Sequence, residues 1–101
     1  MDTRQKIGVL NTMASQMGIC GITQGYLEVR GLKYVVANPE NFELNLKLNN
    51  NVTISLRYNE GLDLYEVEVF RNFKLVYREN RIFCEDWKNV FNRIWGVLIT
   101  N

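Results

Sequence analysis

The sequence contains no histidine and only two cysteines in 101 residues. Without histidine, the commonest proton carrier near neutral pH is missing, and no Ser-His-Asp or Cys-His catalytic group can form within the chain. Two cysteines, without histidine or regularly spaced aspartates, also cannot complete a zinc or EF-hand site. Glu66 and Glu68 share one strand face, but we expect that face to be solvated and not catalytic. These absences predict a protein that is not an enzyme and that uses no metal and no cofactor.

Long apolar runs and an excess of either charge are also missing. No run approaches the ~18 apolar residues of a transmembrane helix, and no signal-peptide core follows the charged first residues. We therefore expect a cytoplasmic protein without membrane contact, in which Cys20 and Cys84 stay reduced. The 12 basic and 11 acidic residues give a net charge of +1, so no overall field attracts nucleic acid or an anionic membrane.

Alanine and proline are scarce, with two Ala and one Pro against thirteen Asn. Because Ala and Pro use GC-rich codons and Asn uses AT-rich codons, this composition indicates an AT-rich gene. A low-GC bacterium or one of its phages has such genes. We therefore expect a phage or mobile-element accessory protein.

Two amphipathic helices are predicted at the ends of the chain. The first runs from about residue 3 to residue 17, with Asp2 and Gln5 forming a capping box and Gly18 ending the helix. The second begins near residues 84–85, where acidic residues suit the helix dipole. Its apolar stripe consists of Trp87, Val90, Phe91, Ile94 and Leu98.

The middle of the chain reads as antiparallel strands. Apolar and polar residues alternate strictly over 42–48 and 52–58. The three asparagines at 49–51 set the register of this hairpin, since Asn tolerates positive φ. Leu46 should therefore lie opposite Ile54, and a slip of one residue would turn every apolar side chain towards water.

Further hairpins extend this sheet through turns at 59–62 and 71–73, and short strands are predicted upstream at 26–30 and 32–36. The expected pairs are Tyr65 with Leu56, Val67 with Ile54, Val69 with Val52, Leu75 with Val69, Tyr77 with Val67 and Arg78 with Glu66. The sequence thus predicts one α+β domain over residues 1–101. Its antiparallel meander has about five or six strands, with both helices packed on one face.

A glycine-punctuated loop follows the first helix and contains Gly18, Cys20, Gly21 and Gly25. A small phosphorylated ligand is one hypothesis for this loop. However, the loop lacks the preceding strand and the following Lys-Ser/Thr of a phosphate-binding loop. No activating cation lies beside Cys20 in the sequence, so a packed thiol is the simpler interpretation.

The segment 70–83 interleaves basic and aromatic residues, which can follow phosphates and stack on bases. Its members are Phe70, Arg71, Phe73, Lys74, Tyr77, Arg78, Arg81 and Phe83. Acidic residues on the neighbouring strand supply matching negative charge, which disfavours nucleic-acid binding.

The same segment also predicts a protein-binding surface. If the inward residues of the fourth strand are Tyr65, Val67 and Val69, then Phe70 and Val76 face outward and Phe73 lies at a hairpin tip. Exposed aromatics flanked by arginine are typical of interface hot spots. The predicted partner-binding residues are Phe70, Arg71, Phe73, Lys74, Val76, Arg78 and Trp95.

Trp95 lies on the flank of the last helix, where it either joins this surface or widens the buried face. From these residues we expect a non-enzymatic protein that docks on another macromolecule, above all a protein, and that inhibits or modulates host machinery. Two alternatives remain open: a self-assembling homo-oligomeric subunit, such as a homodimer, and a nucleic-acid or small-nucleotide binder.

Overall fold

The computed structural model describes residues 2–19 and 31–100. Helix α1 begins the chain and helix α2 ends it, and five strands lie between them. The elements are α1 (Thr3–Ile19), β1 (Leu32–Asn38), a 3₁₀ turn (Pro39–Asn41), β2 (Glu43–Leu48), β3 (Val52–Asn59), β4 (Leu64–Arg71), β5 (Lys74–Ile82), a second 3₁₀ turn (Cys84–Asp86) and α2 (Trp87–Thr100).

The five strands form one antiparallel sheet in the order β1-β2-β3-β4-β5, so each strand pairs with its neighbour in sequence. This meander with a helix at each end confirms the predicted α+β fold. The additional strand predicted at 26–30 lies outside the described residues.

The capping box at the start of α1 is formed as predicted. The Gln5 amide donates to the Asp2 carboxylate over 2.9 Å, and the Asp2 amide donates to the Gln5 side-chain oxygen over 2.9 Å. The predicted end of the helix is wrong, because α1 continues through Gly18 to Ile19. A glycine inside a helix is tolerated at modest cost, so glycine alone does not fix a boundary.

The β2–β3 hairpin has the predicted register, with Leu46 opposite Ile54 and Lys47 opposite Thr53. Asn50 and Asn51 adopt φ angles of 63° and 58° in the connecting loop. Their tolerance of the left-handed region therefore lets the alternating apolar residues of both strands face the core.

The β3–β4 pairing differs from the prediction by two residues, although the same face is buried. Val67 lies opposite Leu56, and Tyr65 lies opposite Tyr58. The connecting loop has four residues, 60–63, and Asp63 takes a φ of 53°. The Tyr58 hydroxyl donates to the Asp63 carboxylate over 2.7 Å, which stabilises the longer loop.

The β4–β5 pairing also differs from the prediction, because the turn has two residues, 72–73, instead of the three predicted and because β5 contains two bulges. The pairs change from Phe70–Leu75 to Val69–Tyr77, which leaves Val76 as an extra residue. A second irregularity lies before Ile82, next to Arg81 with its φ of 59°. Arg78 consequently lies opposite Glu68 instead of Glu66. Bulges shift every later pair, and alternation in sequence does not reveal them.

One buried cluster joins both helices to one face of the sheet, so the opposite face has no helix on it among the described residues. The cluster includes Leu10 and Met13 of α1, the whole predicted stripe of α2, and the inward residues of β2, β3 and β4. Tyr65 packs on Trp87 with ring centroids 5.3 Å apart, which fixes α2 against β4. None of the helices in the described part of the chain is long and apolar enough to cross a membrane.

Candidate binding surface

The face of the sheet opposite the helices, here called the outer face, carries at one end a row in which three of five residues are apolar. Each residue of this row lies opposite the next across all five strands. The row consists of Tyr34, Lys47, Thr53, Phe70 and Leu75. Tyr34 is 56% exposed and Leu75 is 49% exposed, while Phe70 is half-buried. The next row along the strands is polar: Val36, Asn45, Ser55, Glu68 and Arg78.

Phe73 lies at the tip of the β4–β5 hairpin beside this row and is 93% exposed. It occupies a two-residue turn between the paired residues Arg71 and Lys74. Both turn residues have positive φ, 52° at Asn72 and 66° at Phe73. Such turns favour Asn-Gly, and a side chain with a Cβ costs about 1–2 kcal/mol in this backbone region. Phe73 is thus unfavourable for the backbone, and its side chain buries almost no apolar surface that would offset this cost.

Backbone contacts hold this tip in place. The Asn72 amide donates to the Asn51 carbonyl over 3.0 Å, which ties the β4–β5 turn to the β2–β3 turn. The Asn49 amide donates to the Gly31 carbonyl over 2.9 Å. Gly31 has a φ of 77°, and a Cβ there would lie 2.0 Å from the Asn49 side-chain nitrogen. Glycine is therefore required where the chain enters β1, and the tip residues are presented on a preorganised support.

A shallow groove of about 210 Å³ lies beside Phe73 on the outer face. Tyr34 and Phe70 line it together with Phe73, and Lys33 and Lys47 contribute the charged groups. The groove is smaller than the ~300–1,000 Å³ of a typical small-ligand pocket. Its size suits a single side chain of a larger partner.

The structure brings several of the predicted binding residues together and adds others. Phe70 and Phe73 line the same groove, and Lys74 is exposed next to Phe73. Arg78 is exposed, in the polar row. Sequence reasoning missed Tyr34 because residues 32–37 do not alternate. It missed Leu75 because the turn at 71–73 is one residue shorter than predicted, which moves Leu75 from the expected inward face to the outer face.

Three of the predicted binding residues make contacts within the fold. Trp95 is only 3% exposed and packs on Phe91, so it widens the buried face of α2. Val76 packs against the core, because the bulge in β5 turns it away from the outer face. Arg71 donates to the Leu98 carbonyl over 2.6 Å and so stabilises the end of α2.

Most of the predicted glycine-rich ligand loop lies outside the described residues. Gly18 lies within α1. Cys20, Gly21 and Gly25 lie outside the described residues. In the described part of the chain, no three residues of the metal-ligating types come together as a candidate metal site.

The titratable groups with shifted pKa values do not line the groove, and each has a hydrogen-bond partner. Arg93 of α2 donates to the Glu79 carboxylate over 2.9 and 2.6 Å, which lowers the pKa of Glu79. Burial and a hydrogen bond to Glu79 raise the pKa of Tyr77. The hydrogen bond to Asp63 raises the pKa of Tyr58 to about 12. These contacts join elements of the fold, as structural ion pairs commonly do.

Comparison of the chain with protein-family models, with curated proteins and with solved structures finds no match in any of the three. Function must therefore be inferred from the residues of this surface.

Proposed function

We propose that this chain is a non-enzymatic binding protein that docks on another protein through a tip patch made of Tyr34, Phe70, Phe73 and Leu75. The observation that carries the proposal is Phe73, a large apolar side chain that is 93% exposed at a positive φ of 66°. Unfavourable backbone conformations persist mainly where function requires the side chain.

The rest of the patch supports the same function. Single exposed apolar residues are ordinary on protein surfaces, but these four are grouped at one end of one sheet face. Aromatic residues dominate interface hot spots because they bury a large area with few rotatable bonds. The bonded turns beneath the patch reduce the entropy lost on binding.

The kind of partner follows from composition and charge. The AT-rich composition favours a phage or mobile-element accessory protein, and we propose that it acts in the cytoplasm by modulating or inhibiting a host protein. A net charge of +1 favours a protein partner over nucleic acid, since affinity for nucleic acid grows with the number of phosphates neutralised.

Site-specific photocross-linking in the source cell tests this proposal. Benzoylphenylalanine replaces Phe73 in one variant and Phe83 in a matched control. Phe83 is also an exposed phenylalanine, 55% exposed, but it follows the far end of β5, roughly 30 Å away along the strand. We expect a cross-linked protein, identified by mass spectrometry, at position 73 and not at position 83.

The cross-linked protein is then purified, and its affinity is measured by calorimetry. Phe73→Gly should weaken binding by about thirtyfold, the ~2 kcal/mol of a hot-spot aromatic, whereas Phe83→Ala should leave it unchanged. Equal cross-linking at both positions, or equal affinities for the two variants, would contradict the proposal. A cross-link to a second copy of the chain would favour self-assembly instead.

A further inference from the structure

We infer that the groove beside Phe73 receives a segment of the partner protein in which a large apolar side chain lies next to a carboxylate. This inference rests on the proposed docking function and specifies the chemistry that the surface recognises. The apolar side chain would lie between Tyr34, Phe70 and Phe73, and the carboxylate would face Lys33 and Lys47.

The groove has the size and lining for one apolar side chain. Its volume of about 210 Å³ is bounded by three aromatic residues, and Thr53 and Val52 also contribute to its lining. Aromatic rings at a preorganised site bury a large area of an inserted side chain. The apolar part of the recognised segment is therefore a Phe, Trp or Leu type of residue.

The charges of the groove are of one sign. Among the described residues that line it, two are lysines and none is a carboxylate. In the described part of the chain neither lysine forms an ion pair, and Lys47 donates only to the Thr53 hydroxyl, over 3.4 Å. Cations beside an apolar groove attract a segment with an acidic residue and disfavour a basic one.

A β-bulge places one of these lysines at the groove. The register of β1 against β2 changes between the pairs Leu32–Leu48 and Tyr34–Lys47, so Lys33 is the extra residue of β1. Bulges commonly redirect a side chain at an edge strand or next to a functional site. Lys33 therefore lines the groove beside Tyr34, its neighbour on β1.

Nucleic acid also combines flat rings with negative charge, but this surface fits it less well. Two lysines neutralise two phosphates at most, which gives weak and only slightly salt-dependent binding. Along the rest of the outer face, Glu43 and Glu66 lie opposite Arg57, and Glu68 lies opposite Arg78. These charges largely neutralise each other, so they offer no positive track for a phosphate backbone continuing along the sheet. A protein segment with one carboxylate needs no such track, because Lys33 and Lys47 suffice for its single negative charge.

The test is selection from a random peptide library displayed on phage, with the full chain as the immobilised target. We expect the selected peptides to carry Asp or Glu beside Phe, Trp or Leu. Fluorescence polarisation of a labelled selected peptide then compares the wild type with the double variant Lys33→Glu, Lys47→Glu, which should bind at least about tenfold more weakly. The same double variant, used as the target, should select peptides with Lys or Arg in place of the acidic residue.

The controls separate this inference from the docking function. The control is Lys88→Glu, which changes the net charge by the same amount as Lys33→Glu or Lys47→Glu alone. Lys88 is exposed on α2, which packs on the opposite face of the sheet from the groove, so this substitution should not affect binding. If Phe73→Gly weakens the selected peptides while the double variant does not, the acidic preference is wrong and the docking surface remains. If no peptide is selected and a labelled oligothymidylate binds instead, both this inference and the proposed function are overturned.

Discussion

The residue with the clearest conflict between local energetics and side-chain identity is Phe73. Its backbone favours glycine, and its nearly complete exposure favours a polar side chain. The preceding residue, Asn72, suits its own positive φ well. Within this turn the conflict is therefore confined to Phe73, and the Asn72 amide ties the turn to the β2–β3 loop by its hydrogen bond to the Asn51 carbonyl.

Replacing Phe73 with two small residues separates backbone strain from the loss of the ring. Both Phe73→Gly and Phe73→Ala remove the aromatic surface, but only glycine accepts a φ of 66° without a steric penalty. The glycine variant should be more stable than the alanine variant by about 1 kcal/mol in urea unfolding. An alanine variant as stable as the glycine variant would show that the backbone at this turn is unstrained.

Among the elements, α2 and β5 are joined by a charged contact that should make stability depend on pH. Arg93 donates two hydrogen bonds to Glu79 and holds the pKa of that carboxyl below its ordinary value of 4.5. A carboxyl with a lowered pKa in the folded state stabilises it above the unfolded pKa, and this contribution is lost as the pH falls through the folded pKa.

We therefore expect Glu79→Gln to be less stable than the wild type at pH 7 and to lose less stability on acidification to pH 3. Urea unfolding at the two pH values measures both differences. The control is Glu60→Gln in the exposed β3–β4 loop, which should follow the wild type at both pH values. If the wild type and Glu79→Gln lost the same free energy of unfolding between pH 7 and pH 3, the assigned role of the Arg93 contact would be contradicted.

The strand registers differ in how well the sequence predicts them. The β2–β3 register was predictable because two clean alternations meet at three asparagines. The β4–β5 register was not, since a bulge costs little and changes no residue type in a recognisable way. Phe70 faces outward and Phe73 lies at the hairpin tip as predicted, because both precede the bulge in β5. Val76 was predicted to face outward but packs against the core at the bulge, and Lys33 was not predicted because a second bulge places it at the groove.

At the scale of the whole molecule, the helices cover one face of the sheet and the tip patch lies on the other. An exposed sheet edge is a further route to association, but β5 limits it with two bulges and with exposed charges at Arg78 and Arg81. Among the described strands β5 and β1 are the two edges. The bulges and charges disfavour pairing of two copies through β5, and the bulge at Lys33 interrupts the edge of β1.

We therefore expect the purified protein to be a monomer at micromolar concentration by multi-angle light scattering. Phe73→Gly should behave identically, because in the proposed function the tip patch binds a different protein and not a second copy of the chain. A wild-type dimer that becomes a monomer in Phe73→Gly would assign the patch to self-association. A dimer unaffected by that substitution would place a self-interface elsewhere on the molecule.

The one-sided packing of the sheet has an evolutionary consequence. Residues that alternate along the same strands are under different constraints. Those that face the helices must keep the core filled, whereas those that face outward pack against no helix of the described part of the chain. Substitutions in the outer rows can accumulate without disturbing the core. Divergent relatives should therefore share the buried alternation of β2 and β3 and differ at the hairpin tips. Under the proposed docking function, such changes at the tips would alter the target without altering the fold.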